Sequence, residues 1–121
     1  MDFEMKDKMR IVQELVPGRQ ITLLHVIANP DPILYQKLGL DPAVEYSKSA
    51  IGILTLSPAE TAIIAGDIAI KASGAQLGFV DRFSGTVILT GTYSEVDASL
   101  KAVADYAEGT LGFTVCKITK T

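Results

Sequence analysis

Residues 50–91, AIGILTLSPAETAIIAGDIAIKASGAQLGFVDRFSGTVILTG, decide the fold. Ala50 to Leu56 is a short run that is apolar on both faces and bounded by turn-forming residues, so it reads as a central strand. Ser57-Pro58-Ala59-Glu60 then combines a capping serine, a proline at the first helical position and a glutamate at the third. That capping-box pattern predicts a helix starting there. Ala59, Ala62, Ile63, Ile64, Ile68, Ala69 and Ala72 recur at helical spacing, with side chains small enough to lie close to a sheet, and Gly74 reads as the stop. Leu77 to Arg82 and Thr86 to Thr92 read as two strands. Phe83-Ser84-Gly85 joins them as a hairpin in which glycine supplies the positive φ.

Towards the C-terminus, Ser94-x-x-Asp97 predicts the cap of a second helix. Val96, Leu100, Val103 and Ala107 form one stripe of it, Gly109 ends it, and Phe113 to Thr119 reads as a closing strand. From residue 50 the order is therefore β-α-β-β-α-β. This places the chain in the α+β class, as a ferredoxin-like antiparallel sheet with helices on one face. Towards the N-terminus, Ile21, Leu23, His25 and Ile27 alternate with Thr22, Leu24 and Val26, a strand largely apolar on both faces. Asp31-Pro32 and Leu38-Gly39 bracket a short helix, and residues 40–49 form a polar connector. Ile11 to Val16 is a further β-prone run closed by Pro17-Gly18, which suits a type II turn. The charged residues 1–9 have no period and read as a flexible tail, leaving 10–121 as a single domain.

Composition narrows the function. The 121 residues are 48% hydrophobic, with mean hydropathy +0.30, which is rich for so small a domain and predicts apolar surface that meets a partner. No apolar run approaches the roughly 18 residues of a membrane span, and the first residues lack the apolar stretch of a signal peptide, so a cytoplasmic location is expected with no membrane partner. With 11 basic and 14 acidic residues and a net charge of −3, nucleic acid is not an expected partner. The single cysteine, Cys116, fits a reducing compartment and reads as a packed thiol. His25 is the single histidine, and no second His or Cys stands at ligand spacing, so it reads as a structural or interface residue. No glycine-rich phosphate motif occurs. No catalytic, cofactor-binding or metal site is expected, and the chain does not read as an enzyme. The residues alone reach a compact, oligomeric α+β domain. A small-molecule-binding regulatory oligomer with the same strand order is the alternative reading.

Three stretches carry a family resemblance: QELVPGRQITLLHVIANP (13–30), residues 50–91, and FTVCKITKT (113–121). Within them VPGRQITL, LSPAETAIIAGD and GFVDRFSG are specific in combination. Residues 49–109 resemble the bacterial microcompartment (BMC) shell domain, and the segment order resembles its circularly permuted branch, of the PduU and EutS type. The resemblance implies a structural shell protein that forms cyclic homohexamers, which tile into the facets of organelles enclosing ethanolamine, propanediol or choline degradation. Its implied partners are copies of itself, other shell proteins and encapsulated enzymes. It implies that Lys71 lies at the edge between hexamers. It implies that Arg82, Phe83, Ser84 and Gly85 surround the central axis, and that residues 10–16, with Ile11, Gln13 and Leu15, form an extra strand joining its five copies in a barrel that caps or gates the pore. The bulky DRFSG in place of a glycine-rich, lysine-containing loop argues against an open channel. Ser49, where a glycine would loosen the backbone, favours a flat ring.

Overall fold

The computed structural model describes residues 18–43 and 49–121, and the strands among them form one sheet. In chain order the elements are β1 (Gln20–Ile27), α1 (Ile33–Lys37), β2 (Ala50–Ser57), α2 (Thr61–Ala72), β3 (Gln76–Asp81), β4 (Thr86–Gly91), α3 (Tyr93–Gly109), β5 (Thr114–Val115) and β6 (Ile118–Lys120). The tail expected over 1–9, the strand expected over 10–16 with Ile11, Gln13 and Leu15, and connector residues 44–48 lie outside the described residues.

The sheet order is β3-β4-β2-β1-β5, with β6 also on β1, so β2 is central as its two apolar faces require. From β3 to β1 every pairing is antiparallel. The final step departs from a wholly antiparallel sheet, because β5 and β6 run parallel to β1. In the β-α-β-β-α-β order the last strand would sit beside β2. Here β1 fills that slot and the last strands pair with β1 instead, so the N-terminal strand is enclosed rather than added at an edge.

The register explains which residues make the core. Ile21 opposes Leu56 and Leu23 opposes Thr55, so a bulge at Thr22 puts two residues of β1 against one of β2. The alternation read from the sequence restarts there. Ile21, Leu24 and Val26 consequently share the buried face, and Leu23 turns outward at 37% exposure. Leu54, Leu56, Val87 and Leu89 complete this face beneath Ala62, Ala65 and Ala69 of α2 and Val96, Leu100, Val103 and Ala107 of α3. Each buried Leu or Val contributes on the order of 2 kcal/mol by leaving water. The alanines let α2 lie close. Both long helices therefore cover one face, as expected. Part of the other is covered by the segment carrying α1, where buried Leu40 lies over Gly78, Asp31 Oδ1 accepts from Ile33 N at 3.1 Å and Tyr35 Oη donates to Ser49 O.

Three helix boundaries differ from the sequence reading. The Ser57–Glu60 capping box does not form, because Ser57 is held in the ladder opposite Gln20. The helix begins instead at Thr61, with Thr61 N and Ala62 N donating to Pro58 O and Ala59 O at 3.0 and 3.1 Å. For α3 the cap is Thr92, not Ser94. Thr92 Oγ1 accepts from Glu95 N at 3.2 Å and Glu95 Oε1 from Thr92 N at 2.9 Å, since β4 ends at Gly91 and leaves Thr92 extended. Asp97 pairs instead with Lys101 at 2.9 Å. Gly74 is not a left-handed stop: extended Ser73 ends α2. A Cβ there would still come within 2.2 Å of Glu95 Oε2, so a side chain at 74 would displace the Glu95 carboxylate that caps α3.

Candidate functional site

The β3–β4 hairpin is built before any partner arrives. Asp81 accepts from Phe83 N at 2.9 Å through Oδ1 and from Ser84 Oγ at 2.8 Å through Oδ2. Gly85 N closes the loop onto Asp81 O at 2.9 Å. The Phe83 amide, then the Ser84 hydroxyl, hold the Asp81 carboxyl below its ordinary range. Gly85 adopts the positive φ expected of it, +77°. Its oxygen accepts from Leu56 N at 2.8 Å, and any Cβ there would fall 2.2 Å from Leu56 O. The loop is thus fixed against β2 while its tip projects: Phe83 is 81% exposed, and the Arg82 guanidinium lies 4.9 Å over its ring. Arg82, Phe83, Ser84 and Gly85 form one rigid, aromatic and cationic tip.

Lys71 stands apart from this tip, near the C-terminal end of α2. Its Nζ lies 2.8 Å from Asp67 Oδ2, one helical turn back, and the two side chains are 74% and 54% exposed. Ile63 and Ile70 of the same helix are also exposed, at 55% and 42%. A helix with isoleucines on more than its buried face is under-covered in one subunit.

Two features were missed in the sequence. Ser99, wholly buried on α3, donates to Ala69 O at 2.6 Å. It lies 2.7 Å from Ser73 Oγ, which donates to Glu95 O at 2.9 Å, so serines pin the end of α2 to α3. The second is a shallow apolar groove between α2 and α3, lined by Leu56, Thr61, Ile64, Ala65, Ile68, Val103, Ala107, Leu111 and Phe113. Helical periodicity groups residues on one helix and does not show where two helices splay. The surplus of isoleucine in α2 was the available signal.

His25 sits on the face away from the long helices. Its Nδ1 is 2.6 Å from Thr119 Oγ1 in β6 and its Nε2 is 2.9 Å from Thr121 Oγ1 just after it. Cys116 is half-buried beside the core. Among the described residues no group of three or more His, Cys, Asp or Glu could hold a metal ion, and no helix is long and apolar enough to cross a membrane.

A family model described as the BMC domain matches residues 50–119. The chain belongs to the BMC domain family. Over 112 residues, 93% of each chain, it is 52% identical to the bacterial microcompartment shell protein PduU of Salmonella typhimurium. It is 46% identical to shell protein EutS of Escherichia coli over 94% of this chain and 98% of that one. It is 48% identical to shell protein CutR of Streptococcus intermedius over 92% and 91%. Among solved structures it resembles a CutR flat hexamer, with TM-score 0.80 and 45% identity over 88% of this chain and 94% of that one. A CutR screw of 41.9 Å pitch matches with TM-score 0.78 and 45% identity, over 87% and 100%. The BMC domain match begins at β2, so β1, which completes the middle of this sheet, precedes it.

Proposed function

We propose that this chain is a non-enzymatic, structural tile of a bacterial microcompartment shell, assembled as a closed ring of six copies. One observation carries the reading: the chain matches proteins named as microcompartment shell proteins over nine-tenths of both lengths, at 46–52% identity. The surface supports it. Ile63, Ile70, Phe79 and Phe83 are 42–81% exposed, apolar area that a solitary subunit would leave in water.

Three finer assignments belong to this proposal. Lys71 lies at the edge between rings, exchanging Asp67 for groups of a neighbouring ring. The hairpin Arg82–Gly85 surrounds the axis. Residues 10–16 cap that axis, with Ile11, Gln13 and Leu15 in the capping strand. The position of β1 supports the cap, since Gln20 opposes Ser57 at the same end of the sheet as the hairpin. Circular permutation of the domain is part of the same reading. Its partners are further copies, other shell proteins and enclosed enzymes, within the cytoplasm.

Light scattering behind a sizing column tests the ring, with an expected mass about six times 12.9 kDa. Negative-stain microscopy of overexpressing cells tests the tile and should show extended sheets or tubes. A stable monomer at micromolar concentration overturns the reading. A discrete ring that forms no arrays and binds an effector supports a regulatory oligomer instead.

A further inference from the structure

Helix α2 and strand β3 run side by side between the hairpin and Lys71, which lie at opposite ends of the sheet. Gly85 sits against the start of α2, since a Cβ there would stand 3.1 Å from Ala59 Cα. From Thr61 the helix runs about 18 Å away from the hairpin, with Lys71 in its last turn. β3 brings the chain back: Gln76 opposes Thr90 at the far end, and Asp81 opposes Thr86 beside the hairpin. The two elements touch on the way, because Leu77 Cδ1 would lie 3.6 Å from a Cβ at Gly66. Their shared outer surface is apolar. Ile63 and Ile70, one turn before and one turn after Gly66, are 55% and 42% exposed. Leu77 and Val80 stand on the helix side of edge strand β3, opposite Leu89 and Val87, and are 41% and 39% exposed. The charges that border this strip, Asp67 and Lys71, are paired at 2.8 Å. Four large apolar side chains in one uncharged strip fit a protein surface better than water.

The direction of the strip selects the partner. In the proposed tile the hairpin surrounds the axis and Lys71 lies at the edge between rings, so α2 and β3 lie along a radius. A neighbouring ring reaches only the outer end of a radius, near Ile70 and Lys71. The two faces of the tile meet water, which an apolar strip of this length disfavours. What can cover the strip from axis to rim is the next copy in the same ring. We infer that Ile63, Ile70, Leu77 and Val80 form the flank on which each copy packs against its neighbour within the ring. Ile63 and Val80 stand nearer the axis, Ile70 and Leu77 nearer the rim. Identical contacts repeated around a closed ring join two different surfaces, so this flank meets the opposite side of the neighbouring copy and not its own equivalent. Edge strand β3 thereby gains the cover that its own subunit does not give it. This inference rests on the ring-forming reading above, which supplies the axis and the rim.

Variants at the axial end of the strip separate this contact from the one between rings. In the full chain, Ile63→Asp and Val80→Asp should each shift the scattering mass from the ring to smaller species with the far-UV spectrum unchanged, whereas Lys71→Asp keeps the ring mass. A labelling experiment needs no disruptive change. With Cys116→Ser and Ile63→Cys in a chain whose ring mass is confirmed, alkylation of the new thiol should be at least tenfold slower than that of a short cysteine peptide, although position 63 is 55% exposed in one subunit. Four results overturn the inference while leaving the ring intact. Rings of parent mass from both aspartate variants, without sheets, would assign the strip to the contact between rings. Rings and sheets together would place it on a face of the tile, open to an enclosed enzyme. A thiol that reacts at the peptide rate would leave the strip uncovered. Protection that vanishes on deleting residues 1–16, at unchanged ring mass, would mean that the chain's own N-terminal residues cover it. A parent protein that is monomeric in solution overturns the ring reading itself.

Discussion

At the scale of single residues, Asp81 shows how a small loop is held by charge. Its carboxylate accepts from the Phe83 amide and the Ser84 hydroxyl, which favours the ionised form and depresses its folded pKa. A depressed carboxyl stabilises the folded state above its unfolded pKa of about 3.9, and that contribution disappears as pH falls through the lower folded value. Carbon-13 titration of Asp81 should therefore give a midpoint below the ordinary value, moved upward by Ser84→Ala. A midpoint at or above that value would show that the turn does not hold the charge. Ser99 illustrates the neutral case. Removing its buried hydroxyl takes a partner from Ser73 and a bond from Ala69 O, so Ser99→Ala should lower stability by about 1–2 kcal/mol in urea titration at fixed protein concentration.

At the scale of elements, the cap of α3 rests on Thr92 and Glu95 acting reciprocally. Thr92→Ala should cost about 1 kcal/mol, and the Glu95 amide should exchange faster with solvent while amides near Leu100 stay protected. Elements of this kind were largely legible in the sequence. Strong periodicity placed β2, α2, the hairpin and α3, and Gly85 announced its own conformation. Boundaries were less legible wherever two signals overlapped. Ser94-x-x-Asp97 read as the cap and Thr92 as strand, but β4 ends at Gly91 and leaves Thr92 free to cap with Glu95. Ser57 read as a cap, but pairing with β1 held it extended. The bulge at Thr22 had no sequence mark, because it arises from register with Thr55 rather than from β1 alone. For the same reason the α2–α3 groove, a relation between helices, was invisible, whereas the exposed tip at Phe83 was already singled out by its loop.

At the scale of the whole molecule, the proposed ring and array make separable predictions. Lys71 and its partner Asp67 are largely solvated, so their pairing adds little to the subunit. Lys71→Asp should abolish sheets in negative stain while the scattering mass stays that of the ring. Unchanged sheets would make Lys71 an ordinary surface lysine. Deleting residues 1–16 leaves every described element in place and should yield rings of nearly the parent mass with an open axis, visible by electron microscopy. Aggregation, or loss of the ring, would mean that these residues serve the subunit fold instead. The enclosure of β1 also bears on the order in which this protein can be made. β1 is synthesised before every other described element, yet its second neighbour consists of residues 114–120, about a hundred positions later. Until those residues leave the ribosome, the middle of the sheet has an open, apolar edge, and the hydroxyls that engage His25 do not yet exist. β1 therefore gains its second neighbour only after every other described element has been made, and a chain lacking residues 114–120 would keep that edge open.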